Sequence, residues 1–564
     1  MTGVVFHGPV PGWLDAARAH ARAGDTAAAI GLAERILART PNHAEVLALR
    51  GDMRAKGGDL AAALADFARA RDLAPDDGVI AKLHLRALMQ LRRYPEATAA
   101  LLAGAARHPR LAQVAGQLLR DKCFAGDWRD CDALLVLAQA GFAAGDYEHM
   151  PYLEIARGHD RGAIRRIGET IAARWAQPAI MRPPRPAGPR IRVAYLSADF
   201  NPHATTNLLS ELPELHRREL FEVFAFSYGE DSDDAVRHRL RDGFEHFIEV
   251  PGETDAAIAD RIAACGIDIA VDLKGLTEHA RPGILAARPA PVQVAWLGYP
   301  ATSGMEWIDY IIADRTVLPA AHFADYSEQI VWLPDTYQVN DRQRPVGAAG
   351  TRAEHGLPAE GLIFASFNNG YKITPAMFDI WMRLLMLVPG SVLWQLDSHP
   401  DLASNLRREA AARAVDPARL VFAPSVDRPE YIGRMVLADL FLDTVPCNAH
   451  TTASDALWAG LPVLTMRGET FTGRVAASLL AAVDLPELVA GDVGEYEAKA
   501  LQLARAPDRL AALRARLDAG RTTCRLFDTP RFRNGIETAF DTMLTRHRAG
   551  LPPAHFAVES PRPK

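Results

Sequence analysis

Leu440-Phe441-Leu442-Asp443-Thr444-Val445-Pro446-Cys447-Asn448-Ala449-His450-Thr451-Thr452-Ala453-Ser454-Asp455-Ala456-Leu457-Trp458-Ala459 reads as a buried strand, a short loop and the first turns of a helix. A helix start leaves backbone N–H groups unpaired and carries a partial positive charge. Thr451 and Thr452 can cap it and, with those amides, hold a phosphate. Asp455 falls one turn later on the same face, within reach of a ribose hydroxyl beside that phosphate. A plain capped helix is the alternative, because Thr-x-x-Asp often precedes an apolar run.

The unit belongs to a series. Leu362–Phe367, Val392–Leu396, Leu420–Phe422, Leu440–Leu442 and Pro462–Leu464 are short β-rich runs. An earlier series comprises Ile191–Leu196, Phe221–Phe226, Ile267–Val271, Val292–Trp296 and Tyr310–Ala313. Helical patterns separate most of them, and that alternation predicts two parallel, doubly wound sheets. Their carboxyl ends form a cleft, the usual seat of a nucleotide. Pro178 to Pro189, with Pro183, Pro184 and Pro186 inside, can sustain neither helix nor central strand and predicts a joint ahead of the first sheet.

In front of that joint the chain repeats. Pro41, Pro75 and Pro109 are 34 residues apart; Gly24, Gly58 and Gly126 keep the same register, with Arg92 where the missing glycine would fall. Gly24-Asp25-Thr26-Ala27-Ala28-Ala29-Ile30 recurs as Gly58-Asp59-Leu60-Ala61-Ala62-Ala63-Leu64. Each unit reads as two amphipathic helices with a glycine turn between them and a proline at the end. The period resembles the tetratricopeptide repeat, which stacks into an α-solenoid whose groove usually binds protein segments. A helical spacer without a ligand is the alternative. Beyond Gly141 the period fades while a helical pattern persists to about Gln177.

Composition narrows the class. The chain has 564 residues, 49% hydrophobic and 23% charged, with a net charge of −6, so a broad nucleic-acid footprint is not indicated. Five scattered cysteines without C-x-x-C spacing favour a reducing compartment over a structural zinc. No apolar stretch approaches 18 residues, so the expectation is a cytoplasmic protein with no membrane partner.

Further candidates lie at the strand ends. Ser197–His203 follows the first strand, so the His203 imidazole can point into the cleft and take a proton from a hydroxyl; a loop His bonded to backbone is the alternative. Phe367-Asn368-Asn369-Gly370-Tyr371-Lys372 ends a strand with a lysine able to stabilise charge on a leaving diphosphate. Asp427-Arg428-Pro429-Glu430-Tyr431, with Arg434, offers two cations and a ring for a base and phosphate. Asp231-Ser232-Asp233 has a D-x-D spacing but sits in a polar loop and reads as solvated surface, so no metal site is assigned.

Taken in order, Ser197–His203, Arg288–Gln293, Trp296–Gly304, Phe367–Lys372, Cys447–Asp455 and Gly468-Glu469-Thr470 with Arg474 resemble the family 41 glycosyltransferases, the O-GlcNAc transferases, over about residues 10 to 545. The resemblance implies a GT-B fold of two Rossmann-like halves, a UDP-sugar donor, inversion at the anomeric carbon, no cofactor or metal, and Ser or Thr of proteins as acceptors. By the same resemblance His203 matches a base or donor-site contact, Lys372 the lysine on the diphosphate, and Asn369 a position held by Gln in animal enzymes. Thr451 and Thr452 match hydroxyls on the phosphate, His450 a His beside the nucleotide, and Asp455 the ribose carboxylate. Arg428 stands for a Lys, Tyr431 for a His that stacks near the uracil, and Arg434 for an Arg. Gly298, Tyr299 and Pro300 fall to the sugar and acceptor cleft.

The resulting plan is a repeat array over 1–140, capping helices and joint over 141–189, an acceptor-side half over 190–345, a nucleotide-sugar half over 346–548 and a tail over 549–564. The partners implied are UDP-GlcNAc or UDP and protein or peptide acceptors, with the repeat groove as their track. A GDP-fucose protein O-fucosyltransferase, or a repeat scaffold with a silent nucleotide-binding module, are the competing readings; His450 favours UDP over GDP.

Overall fold

Asp25 and Asp59 show why the repeated Gly-Asp pair matters. The Asp25 carboxylate accepts the Ala28 amide at 3.1 Å and Asp59 that of Ala62 at 3.1 Å, each closing a helix start. Gly24, Gly58 and Gly126 take positive φ values of +77°, +88° and +64°, and Arg92 takes +54° at the same register, a conformation a side chain opposes. The computed structural model describes residues 10–145, 147, 149–158, 160–179 and 188–559. Helices Val10–Arg22 and Thr26–Arg39, Ala44–Lys56 and Leu60–Leu73, and Gly78–Gln90 and Tyr94–Gly104 form the expected pairs. Trp13, Ile36, Val46, Leu47, Ala70 and Ile80 knit successive pairs into one apolar core.

The described residues divide into two compact units, one ending at 123 and resuming over 128–150, the other comprising 124–127 and everything from 151 onward. In the second unit the strands are β1 (Ile191–Ser197), β2 (Phe221–Ser227), β3 (His246–Glu249), β4 (Ile269–Asp272), β5 (Val292–Ala295), β6 (Tyr310–Ala313), β7 (Gln329–Trp332), β8 (Ile363–Ser366), β9 (Val392–Leu396), β10 (Leu420–Ala423), β11 (Leu440–Leu442), β12 (Val463–Met466), β13 (Val489–Ala490) and β14 (Phe556–Ala557). They build an eight-stranded sheet in the order β14-β7-β6-β5-β4-β1-β2-β3 and a six-stranded sheet in the order β10-β9-β8-β11-β12-β13. All pairings are parallel. The first sheet reverses at β1/β4 and the second at β8/β11, and loops at such switch points are where ligands bind.

Three parts of the plan change. The helix Thr529–Arg548, assigned to the nucleotide half, packs Ile536, Phe540, Met543 and Leu544 into the core of the first sheet, because that face is apolar while the rest of the helix is charged. The segment read as a tail contributes β14, paired with β7, and Val558 is buried beyond it; apolar Phe556, Ala557 and Val558 outweigh the prolines around them. The stretch 141–189 is not one piece. The helix Met150–Arg157 from Pro151 onward, and the helix Arg161–Ala172, belong to the second unit, Arg161 pairing with Asp325 at 2.6 Å, and residues 180–187 of the proline-rich joint lie outside the described residues. Among the described residues no helix is long and apolar enough to cross a membrane.

Candidate functional site

The chain leaves β8 through Phe367-Asn368-Asn369 and tightens into a 3-10 turn, Gly370–Lys372. The turn carries the Lys372 stem inward, where Nζ donates to the Asn448 carbonyl at 2.6 Å across the sheet's switch point. Burial acts to lower the Lys372 pKa, but Cys447, Tyr371 and Asp443 outweigh it and the net shift is upward, so the group is a cation. Asn448 belongs to the loop after β11, which is fixed from below: the Asp443 carboxylate accepts the Ala449 amide at 2.6 Å and the Thr465 hydroxyl at 2.6 Å.

That loop ends in the helix Thr451–Trp458. Here the expectation of threonine caps is corrected: His450 occupies the cap position without a side-chain cap bond, and Thr451 and Thr452 are the first helical residues. The first helical amide bonded within the chain is that of Ser454, which donates to the His450 carbonyl at 3.1 Å. The amides of Thr451, Thr452 and Ala453 have no acceptor among the described residues, which is the arrangement an anion needs. The His450 Nε2 donates to the Thr472 carbonyl at 3.1 Å. Burial, and then the Lys372 charge, push its pKa down to about 3, so its Nδ1 is left as a lone pair.

The opposite wall comes from the first sheet. The loop after β1 brings His203 to the start of the helix Ala204–Leu209, where its Nδ1 accepts the Thr205 amide at 3.2 Å. After β5 the backbone takes a left-handed turn at Leu297, φ +72°, and a Cβ on the next residue, Gly298, would stand 1.8 Å from the Leu273 carbonyl oxygen. Only glycine allows this loop to lie flat against its neighbour.

His203, Leu297, Gly298 and Pro300 on one side and Asn369, Lys372, His450, Thr451 and Thr452 on the other line a single cavity of about 290 Å³. Five of the expected residues stand outside its lining. The Asp455 Oδ1, expected at a ribose, is buried and accepts Arg344 Nη1 at 2.9 Å and Arg428 Nη2 at 2.8 Å. Arg428 is thereby spent on a carboxylate. Arg434 is fully buried, its guanidinium 5.4 Å from the Tyr431 ring and 5.5 Å from Phe367, with Nη1 donating to the Pro424 carbonyl; it supports the ring from beneath. Tyr299 turns away from the cavity into a small core with Ile155, Ile164 and Ala301.

Other cavity residues were not anticipated. Ile155 and Ala156 enter from the helix Met150–Arg157, whose role the loss of repeat period concealed. Thr472 orients His450 through its carbonyl while its hydroxyl donates to the Ile155 carbonyl at 3.0 Å. Gln338 lines the cavity, is 1% exposed, and has no partner at either amide atom among the described residues. Its signal in sequence, a polar residue amid Thr336-Tyr337-Gln338-Val339, is faint. The D-x-D stretch lies elsewhere, with Asp231 beside Arg237 and Asp233 beside His238 at 2.8 Å.

Comparison with known proteins agrees with the fold. The sequence matches glycosyl transferase family 41 over residues 153–347 and 345–536, and a tetratricopeptide repeat over residues 10–53. A probable UDP-N-acetylglucosamine–peptide N-acetylglucosaminyltransferase of Arabidopsis thaliana, SEC, is 37% identical over 401 residues, covering 69% of this chain and 41% of that protein. The UDP-N-acetylglucosamine–peptide N-acetylglucosaminyltransferase of Caenorhabditis elegans is 29% identical over 489 residues, covering 67% of this chain and 42% of its own length. The chain thus spans about two fifths of the length of these curated relatives. A solved structure, a lysine-to-methionine mutant of the Thermobaculum terrenum O-GlcNAc transferase, superposes with a TM-score of 0.70 at 27% identity, covering 96% of this chain and 98% of that one.

Proposed function

This chain belongs to glycosyl transferase family 41, and on that premise we propose that it moves N-acetylglucosamine from UDP-GlcNAc to Ser or Thr hydroxyls of proteins, with inversion and with protein groups in place of a metal. The observation that carries the reading is the convergence, on one cavity between two sheets, of the Lys372 ammonium and the open helix start at Thr451 and Thr452 with their hydroxyls. These groups suit a diphosphate that gains negative charge as it leaves.

The acceptor oxygen attacks the anomeric carbon from the side of the first sheet. The new C–O bond forms as the bond to the β-phosphate oxygen breaks, UDP departs with the electron pair, and the proton of the acceptor hydroxyl passes to an oxygen of the departing diphosphate. Lys372 and the helix start stabilise that charge more in the transition state than in the bound donor, which is what accelerates the step. His450, neutral, offers its Nδ1 as an acceptor beside the nucleotide. Asp455 acts at one remove, holding Arg344 and Arg428 behind the threonines. The helical repeats are assigned to the acceptor protein, and the free cysteines fit a reducing compartment such as the cytoplasm.

The test is calorimetric titration of UDP and GDP into the wild type and Lys372→Ala, followed by UDP release from UDP-GlcNAc with a Ser/Thr peptide. Micromolar UDP binding that weakens in the variant, and glycosylated peptide, are expected. A preference for GDP would replace the reading with a fucosyl donor, and binding of neither would leave a scaffold.

A further inference from the structure

The His203 ring is fixed by a donor that has no choice. A backbone amide can only donate, and the Thr205 N–H points at His203 Nδ1 from 3.2 Å. Nδ1 therefore carries the lone pair, and the proton of the neutral imidazole sits on Nε2. In this state the ring can give a hydrogen bond at Nε2 but cannot accept a proton there. The side chain is 46% exposed, opening onto the cavity.

A second group competes for the same nitrogen. Asp199 Oδ2 stands 3.5 Å from His203 Nδ1, and a bare carboxylate at that distance would draw a proton onto Nδ1. Doing so would produce either an imidazolium or the other tautomer with Nε2 as a base, and would leave the Thr205 amide facing an N–H. The competitor is restrained by Lys274, on the loop after β4, whose Nζ donates to the same Asp199 Oδ2 at 2.6 Å. The lysine side chain is 4% exposed and in no position to contact a substrate in solvent. Asp199 and Lys274 are the charged groups that act on the ring from the two loops packed against it; Lys372 and His450 face it across the cavity. Burial is the largest influence holding the imidazole below its ordinary range; Asp199 acts against it and Lys274 with it.

We propose that Lys274 is a positioning residue that, by neutralising Asp199, keeps His203 a neutral Nε2–H donor, so that His203 binds a substrate oxygen and does not take its proton. The ring state belongs to the protein alone; only the identity of the bound oxygen rests on the glycosyl-transfer reading.

The experiment reads the ring nitrogens of His203 by NMR in the ligand-free full chain with isotope-labelled histidine, the resonance being assigned by its loss in His203→Gln. In the wild type an unprotonated Nδ1 and a protonated Nε2 are expected at neutral pH. Lys274→Met should move the imidazole titration upward from that of the wild type and bring a proton to Nδ1. Lys274→Arg should keep the wild-type state, and the double variant Asp199→Asn/Lys274→Met should return to it, which separates the charge effect from loss of folding. A wild-type Nδ1–H, or one titration curve shared by the wild type and Lys274→Met, would overturn the proposal. UDP titration of the same samples reports separately on the glycosyl-transfer reading, since that reading can fail with the ring state intact.

Discussion

The Lys372 ammonium and the Asn448 carbonyl, 76 positions apart in the chain, meet at 2.6 Å where β8 and β11 part. The contact uses one of three ammonium donors of a residue that lines the cavity. Lys372→Ala should lower kcat on the order of 10²–10³-fold, as expected when a preorganised charge donor is removed, while UDP affinity falls less. Lys372→Arg should not restore turnover, because the residue is 8% exposed and a planar guanidinium does not fit the same slot. Near-normal turnover of the Ala variant with peptide acceptor would remove Lys372 from the mechanism.

His450 makes stability depend on acid. Its folded pKa, about 3, lies below the unfolded value near 6.5. Between those values the unfolded chain binds more protons, so stability is complete above pH 6.5 and is lost as pH falls. From pH 7 to pH 5 the loss due to this residue is about 2 kcal/mol. Urea unfolding of the wild type and His450→Gln at both values should show the larger drop in the wild type. Equal drops would mean the imidazole is not held neutral.

Asp455 ties Arg344, from the segment joining the two halves, to Arg428 on the nucleotide side. Arg344 is buried over the Trp458 and Phe527 rings. Asp455→Ala strands that cation, so the variant should lose about 3–5 kcal/mol of unfolding free energy. A variant as stable as the wild type but unable to bind UDP would instead return Asp455 to the direct ribose contact that its spacing from Thr451 suggested.

The sequence made the architecture legible because periodicity is a local property. The 34-residue spacing of Pro41, Pro75 and Pro109 and the apolar runs at Ile191 and Leu440 needed no partner to be read. Strands β3, β7 and β13 are not among the expected runs because they are short, β3 and β13 lying at sheet edges as well, and β14 is not because prolines precede it. At the site, residues presented by their own loop, such as Lys372, His450 and Thr451, line the cavity at the strand ends where their motifs place them. Arg434 and Tyr299 were misplaced because motif position says nothing about which way a side chain turns, and burial among Phe367 and Tyr431 or Ile155 and Ile164 decided it. Arg344 and Lys274 act only through residues distant in sequence, and Gln338 faces the cavity from a loop without a motif, so no local pattern marks them.

Gln338 separates stability from function most cleanly. Its amide is buried with neither Oε1 nor Nε2 bonded among the described residues, yet it lines the cavity. A buried polar group without a partner costs about 1–3 kcal/mol, and leucine, of similar size, avoids that cost. Gln338→Leu should therefore be as stable as the wild type or more so, by up to about 3 kcal/mol. If the amide pairs with the transferred sugar, the same change should lower kcat/KM for the UDP-sugar by about 3–10-fold, the value of one or two neutral hydrogen bonds, while UDP itself binds unchanged. Thermal unfolding together with initial rates on UDP-GlcNAc and UDP-glucose checks both halves. A larger loss with UDP-GlcNAc locates the amide at the acetamido group, equal losses locate it at a shared hydroxyl, and a destabilised variant with normal kinetics would mean that the amide serves the fold.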